Sequence, residues 1–173
     1  VLAHIFRGLL KKNNPVLFPD ITYSFYPSYC SLFDIEFEKI PLDNRFEINW
    51  RDYVRPNGGV VLPNPNAPTG IFTDLSGLED LVKANNDSVV VIDEAYIDFG
   101  GDSIIPAIVK YPNLLVTRTF SKSYSLAGVR VGYAVGNLEL INGLTMVKNS
   151  FNSYPVDSIS EAGAIAALND NYY

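Results

Sequence analysis

The stretch Ser88-Val89-Val90-Val91-Ile92-Asp93-Glu94-Ala95-Tyr96 decides the fold. Residues 88–92, apolar without a break from Val89, form a run of one strand's length, as expected for a strand buried on both faces of a parallel sheet. The run ends in an acidic pair. On its N-terminal side, Gly58-Gly59 introduces an apolar strand at 60–62 that prolines end. Between the two, Leu75, Leu78, Leu81 and Val82 share one helix face, Thr73 or Asp74 can cap it, and Asn85-Asn86 stop it. On the C-terminal side, residues 113–117 and 129–135 read as strands and 138–147 as a helix. Nearer the start, 1–12 reads as a helix, 15–18 as a strand, 26–33 as a helix and 36–40 as a strand. A small-residue helix at 161–168 runs into a tail at 169–173. Strands and helices alternating in this way predict one α/β domain with a mainly parallel sheet.

Composition narrows the function classes. Of 173 residues, 47% are apolar and only 18% charged, against an average charged share of about 25%. A sizeable core is expected, together with a surface that something else covers in part. The net charge of -6 disfavours nucleic acid and anionic membrane as partners, both of which call for a basic face. No stretch reaches the ~20 apolar residues of a membrane span. The single cysteine, Cys30, allows no internal disulfide or CxxC site, which suits a cytoplasmic protein. The single histidine, His4, excludes a multi-histidine zinc site. Both read as structural. A chain that opens on Val1 in mid-pattern is expected to be part of a longer one.

In open α/β sheets, ligands bind beyond the carboxyl ends of the strands. Polar motifs follow three of the expected strands: Pro63-Asn64-Pro65-Asn66-Ala67-Pro68-Thr69-Gly70, then Asp93-Glu94-Ala95-Tyr96, then Thr119-Phe120-Ser121-Lys122 with Gly128-Val129-Arg130 shortly after. In a parallel sheet they converge on one rim. Each also has an ordinary structural explanation: a rigid turn, a helix cap at Asp93, a solvated lysine, a surface ion pair.

Together, Asn66-Ala67-Pro68-Thr69-Gly70, Asp93-Glu94-Ala95-Tyr96, Arg118-Thr119-Phe120-Ser121-Lys122 and Leu126-Ala127-Gly128-Val129-Arg130-Val131-Gly132-Tyr133 resemble the pyridoxal-phosphate aminotransferases of the aspartate-aminotransferase fold. The resemblance is nearest to the histidinol-phosphate aminotransferases, covers essentially the whole chain, and extends to Thr22-Tyr23-Ser24. It implies a three-layer α/β/α fold with a mainly parallel sheet, the central part of the family's large domain. It implies pyridoxal 5'-phosphate as cofactor, an amino donor and 2-oxoglutarate as substrates, and a homodimer at full length.

The resemblance also assigns residues. Lys122 would form the Schiff base with the cofactor aldehyde, and partial burial beside Arg130 is expected to leave its amine nucleophilic. Asp93 would hold the pyridine nitrogen protonated, and Tyr96 would donate to the ring phenolate oxygen. Tyr23 would stack on the ring. Thr119, Ser121 and Arg130 would hold the phosphate, with Gly128 giving the backbone close approach. A cis peptide is implied at Ala67-Pro68. One position departs: Ala67 stands where the family usually has an asparagine that contacts the phenolate oxygen, a contact Tyr96 alone or a shifted Asn66 would have to supply. Trp50 and Glu94 match nothing catalytic.

The family's glycine-rich phosphate segment would precede Val1, and its small C-terminal domain would follow Tyr173. The 173 residues alone are therefore expected to fold without being a competent enzyme. The rival readings are another amino-acid aminotransferase, a phosphoamino-acid decarboxylase of the same fold, and a non-catalytic α/β interaction module.

Overall fold

The computed structural model describes residues 1–10 and 13–170. Its strands are β1 Val16–Pro19, β2 Phe37–Ile40, β3 Gly59–Pro63, β4 Val90–Asp93, β5 Leu114–Thr119 and β6 Gly132–Gly136. They form one sheet in the order β2-β1-β3-β4-β5-β6. β1 to β5 are parallel, and β6 runs antiparallel to β5. The helices are α1 Leu2–Gly8, α2 Phe25–Phe33, α3 Leu75–Ala84, α4 Leu138–Phe151 and α5 Ser158–Asn169. Among the described residues, no helix is long and apolar enough to cross a membrane.

Local chemistry explains where the elements depart from expectation. The cap of α3 is Asp74, whose Oδ1 accepts from Gly77 N at 2.8 Å. α5 starts at Ser158, earlier than expected, because Asp157 accepts from the amides of Ile159 and Ser160. β6 starts at Gly132, later than expected, because Ala127–Val129 form a 3₁₀ turn and Arg130 takes a left-handed φ of 57°. The helix expected over 1–12 spans Leu2–Gly8; Lys11, Lys12 and residues 171–173 of the tail lie outside the described residues.

Alternation along each strand sends successive side chains to opposite faces, and both faces are buried. One face carries Leu17, Val60, Leu62, Val90, Ile92, Leu114 and Val116, packed on Leu78, Leu81 and Val82 of α3 and on Tyr53, Ile104 and Ala107. The other carries Val16, Phe18, Val61, Val91 and Leu115, packed on α1, α2 and α4 through Ile5, Phe6, Tyr26, Cys30 and Leu144. The expected three layers are therefore present, and each buried aliphatic contributes about 1.5–3 kcal/mol. Trp50 packs on the first core over Gly77, where a Cβ would lie 2.8 Å from the indole. Cys30 is fully buried in the second, its thiol pushed up to about 12 by burial.

The strand order sets the site. From β1 the chain crosses by α2 to β2 on one side, whereas β3, β4 and β5 step away on the other. The direction of winding reverses between β1 and β3, and such a reversal opens a crevice at the carboxyl edge.

Candidate active site

The site residues expected from the sequence lie at or just beyond strand ends on that edge. Tyr23 follows β1, Asn66 follows β3, Asp93 closes β4 with Tyr96 just beyond, and Thr119 closes β5 ahead of Ser121 and Lys122. Arg130 reaches the same edge for the opposite reason. It precedes β6, and because β6 is antiparallel its first residue, Gly132, sits across from Thr119. A parallel β6 would have left Arg130 at the far edge.

Asn66 stitches the two sides of the crevice. Its Nδ2 donates to Ile21 O at 3.0 Å and to Thr69 Oγ1 at 3.2 Å, while its buried Oδ1 has no partner. The Asn64-Pro65 and Ala67-Pro68 peptides are both cis. Beside this turn lies a cavity of about 400 Å³ whose lining includes Asn66, Ala67, Pro68, Tyr96 and Phe99.

Asp93 is 6% exposed. Its Oδ2 accepts from Tyr26 Oη at 2.9 Å and its Oδ1 from Thr117 Oγ1 at 3.0 Å, with a further bond from the Ala95 amide. Among the described residues no side-chain cation pairs with it. Burial pushes the carboxyl above its ordinary value, the three hydrogen bonds pull it back, and neighbouring Glu94 adds to the rise. The helix-cap explanation for Asp93 fails, since its partners are side chains of α2 and β5 and an amide in an irregular segment.

Lys122 is exposed, not part-buried as expected. Its Nζ sits 4.9 Å from the centroid of the Tyr96 ring, a cation–π approach. Thr119 Oγ1 accepts from Ser121 N at 3.1 Å, which turns the chain sharply out of β5. The Arg130 guanidinium donates to Ala127 O at 2.7 Å and so closes its own turn. A Cβ on Gly128 would meet nothing within 4 Å, so packing within the chain does not demand glycine there. Tyr23 is 42% exposed, stacked on Phe25 and edge-on to Tyr26.

Some participants were not singled out in the sequence. Tyr26 lies in the first turn of α2, three residues beyond Tyr23, whose carbonyl accepts from its amide at 3.3 Å, and that nearness in sequence was the available signal. Thr117 is the register partner of Asp93 across β4 and β5, legible only once those strands are aligned. Glu94, set aside in the sequence, takes two contacts from Arg118, at 3.0 Å from Nε and 2.9 Å from Nη2. Asp98 and Ser123 bond each other at 2.6 Å between the Tyr96 and Lys122 segments.

Comparison with known proteins places this arrangement. A protein of Pseudomonas fluorescens named histidinol-phosphate aminotransferase 1 is 61% identical over 173 residues, which are all of this chain and 49% of the relative. The chain thus spans about half the length of the curated relatives it matches. The histidinol-phosphate aminotransferase of Clostridium acetobutylicum superposes with a TM-score of 0.87 at 24% identity, covering 98% of this chain and 52% of that one. The Sinorhizobium meliloti enzyme, solved with pyridoxal-5'-phosphate, gives 0.86 at 24% identity over 98% and 47%. These structures share the fold, and the family model described as aminotransferase class I and II matches residues 1–172. With a lysine, a buried aspartate and a tyrosine gathered at the carboxyl edge of that fold, the chain belongs to the class I and II aminotransferase family.

Proposed function

We propose that the full-length protein carrying this chain is a pyridoxal-phosphate enzyme that moves an amino group between L-histidinol phosphate and 2-oxoglutarate. The observation that carries the cofactor assignment is Asp93: a buried carboxylate with three neutral donors and no side-chain cation among the described residues. Burying such a charge is costly unless a positive group meets it, and a protonated pyridine nitrogen is that group. When bound, pyridoxal phosphate supplies an aldehyde for a lysine amine and a ring that takes up electrons from the substrate.

The residues present fit it. Lys122 is exposed at the edge and free to reach an aldehyde, and its Nζ can then carry a proton to and from the substrate carbon. Tyr96, beside Lys122, donates its hydroxyl to the ring oxygen. Asn66 lines the neighbouring cavity and keeps a buried, unpartnered Oδ1, and its side chain orders the turn that Ala67 leaves without a side-chain amide. Thr119, Ser121 and Arg130 hold the phosphate, with the open space at Gly128 beside them. Tyr23 offers its ring face. The choice of L-histidinol phosphate rests on the 61% identity to a histidinol-phosphate aminotransferase, and 2-oxoglutarate is the acceptor that the family resemblance implies. The protein acts as a cytoplasmic homodimer in this reading, and turnover needs the full-length chain.

The test is an assay of the full-length protein with pyridoxal phosphate, L-histidinol phosphate and 2-oxoglutarate. Glutamate formation that Lys122→Ala abolishes supports the reading. Amino transfer from aspartate alone, or release of carbon dioxide from a phosphoamino acid without glutamate, overturns the substrate assignment.

A further inference from the structure

We propose that Asp98 and Ser123 are positioning residues for Lys122, tying the loop that bears the amine to the turn that bears Tyr96. This rests on the amino-transfer reading above. Ser123 Oγ donates to Asp98 Oδ2 at 2.6 Å, and Asp98 Oδ1 accepts from Arg118 Nη1 at 3.3 Å. Arg118 is itself fixed, because Nε and Nη2 both reach Glu94 Oε2. Glu94, whose side chain is 0% exposed, is held in turn by Ser103 Oγ and the Ile104 amide. A continuous series of charge-assisted bonds therefore runs from a buried carboxylate to the residue next to Lys122.

The placement gives the link its consequence. Ser123 follows Lys122 directly, so anchoring its side chain fixes the backbone from which the lysine projects and leaves the amine free. Asp98 lies in the 3₁₀ turn Ile97–Phe99, two residues beyond Tyr96, and Phe99 N donates to Tyr96 O at 3.2 Å. The backbone bonds of the loop run elsewhere: Phe120 N to Val131 O, Leu126 N to Phe120 O, Ser125 N to Lys122 O. The Ser123–Asp98 bond joins the loop to the Tyr96 turn. Lys122 is exposed on a long flexible stem, and without a fixed base its amine spreads over many rotamers. Reaction rate depends on holding the attacking atom in a narrow geometry.

The experiment uses the full-length protein and its Ser123→Ala, Ser123→Thr and Asp98→Ala variants, with Lys122→Ala as the blank. With pyridoxal phosphate, a C=N bond forms between Nζ and the aldehyde carbon as the carbonyl oxygen leaves as water. Absorbance follows that step, and borohydride fixes the product for peptide mapping. Pyridoxamine phosphate, which has an amine in place of the aldehyde, reports binding without that bond. Ser123→Ala and Asp98→Ala are expected to slow bond formation about tenfold and to shift the pH midpoint of the absorbance. Affinity for pyridoxamine phosphate and the thermal midpoint stay as in the parent, and Ser123→Thr, which keeps a hydroxyl, restores the rate. Unchanged rates overturn the proposal, as does a slowing matched by equal loss of pyridoxamine phosphate affinity and thermal stability. Absence of label at Lys122 in the parent protein overturns the amino-transfer reading, and this proposal with it.

Discussion

Asp93 and Glu94 are neighbours at the end of β4, both carboxylates and both buried, yet they are satisfied in different ways. Strand alternation points Asp93 toward the α2 side and Glu94 toward the other. Glu94 meets the Arg118 guanidinium twice, with a serine hydroxyl and a backbone amide besides. Asp93 meets two hydroxyls and one amide, all neutral. One charge is balanced within the chain and acts as a brace between β4, β5 and the segment after β4. The other is held in place but left electrostatically open, the condition expected of a group whose counter-charge arrives with a ligand.

Glu94→Ala should break this contrast most severely. It leaves the Arg118 guanidinium, whose side chain is only 18% exposed, with Asp98 as its one carboxylate partner among the described residues, and should destabilise the full-length protein by about 3 kcal/mol, read as a lower denaturant midpoint in urea.

Asp93→Asn should act on the ligand more than on the fold. It keeps the shape and removes the charge, so pyridoxal phosphate should bind about 1.5–3 kcal/mol more weakly, measured by fluorescence titration. Its stability effect has a definite sign. The folded carboxyl titrates above its ordinary value, so between the unfolded and folded values the native state binds more protons, and stability falls as pH rises through that window. Asp93→Asn should remove that part of the slope in urea melts of the cofactor-free protein run from acid to neutral pH. A slope identical to the parent's would show that the charge is already balanced.

Tyr26→Phe sharpens the comparison from the other side. Removing the Oη donor leaves Asp93 less satisfied, costs about 1–3 kcal/mol, and should move the pH-dependent loss to higher pH. Ser103→Ala should have the smallest effect. Glu94 keeps Arg118 and the Ile104 amide, so a loss of about 1 kcal/mol is expected, with cofactor affinity unchanged. A drop in affinity there would mean that the two carboxylates are coupled.

How much of this could be read along the chain follows from the range of each interaction. The run from Ser88 to Ile92 announced a strand buried on both faces, and with it the layered α/β class, because burial on two faces leaves an unbroken apolar signature. Asp93, Tyr96, Thr119, Ser121 and Lys122 were legible as edge residues because they stand directly after strand-like runs. A cap at Thr73 or Asp74 was legible because capping is a matter of a few residues, and the structure chose Asp74.

The pairings across the site were not legible. A period of two reads the same in either direction, so nothing in residues 129–135 showed that β6 runs antiparallel, the fact that carries Arg130 to the site's edge. The Tyr26–Asp93, Glu94–Arg118 and Asp98–Ser123 bonds join residues 67, 24 and 25 positions apart, and each depends on strand register and helix placement. The exposure of Lys122 is likewise set by the path of its loop over the finished sheet. Composition and periodicity are local properties and set the elements; charge partners and solvent access belong to the folded surface, where residues distant in sequence first meet.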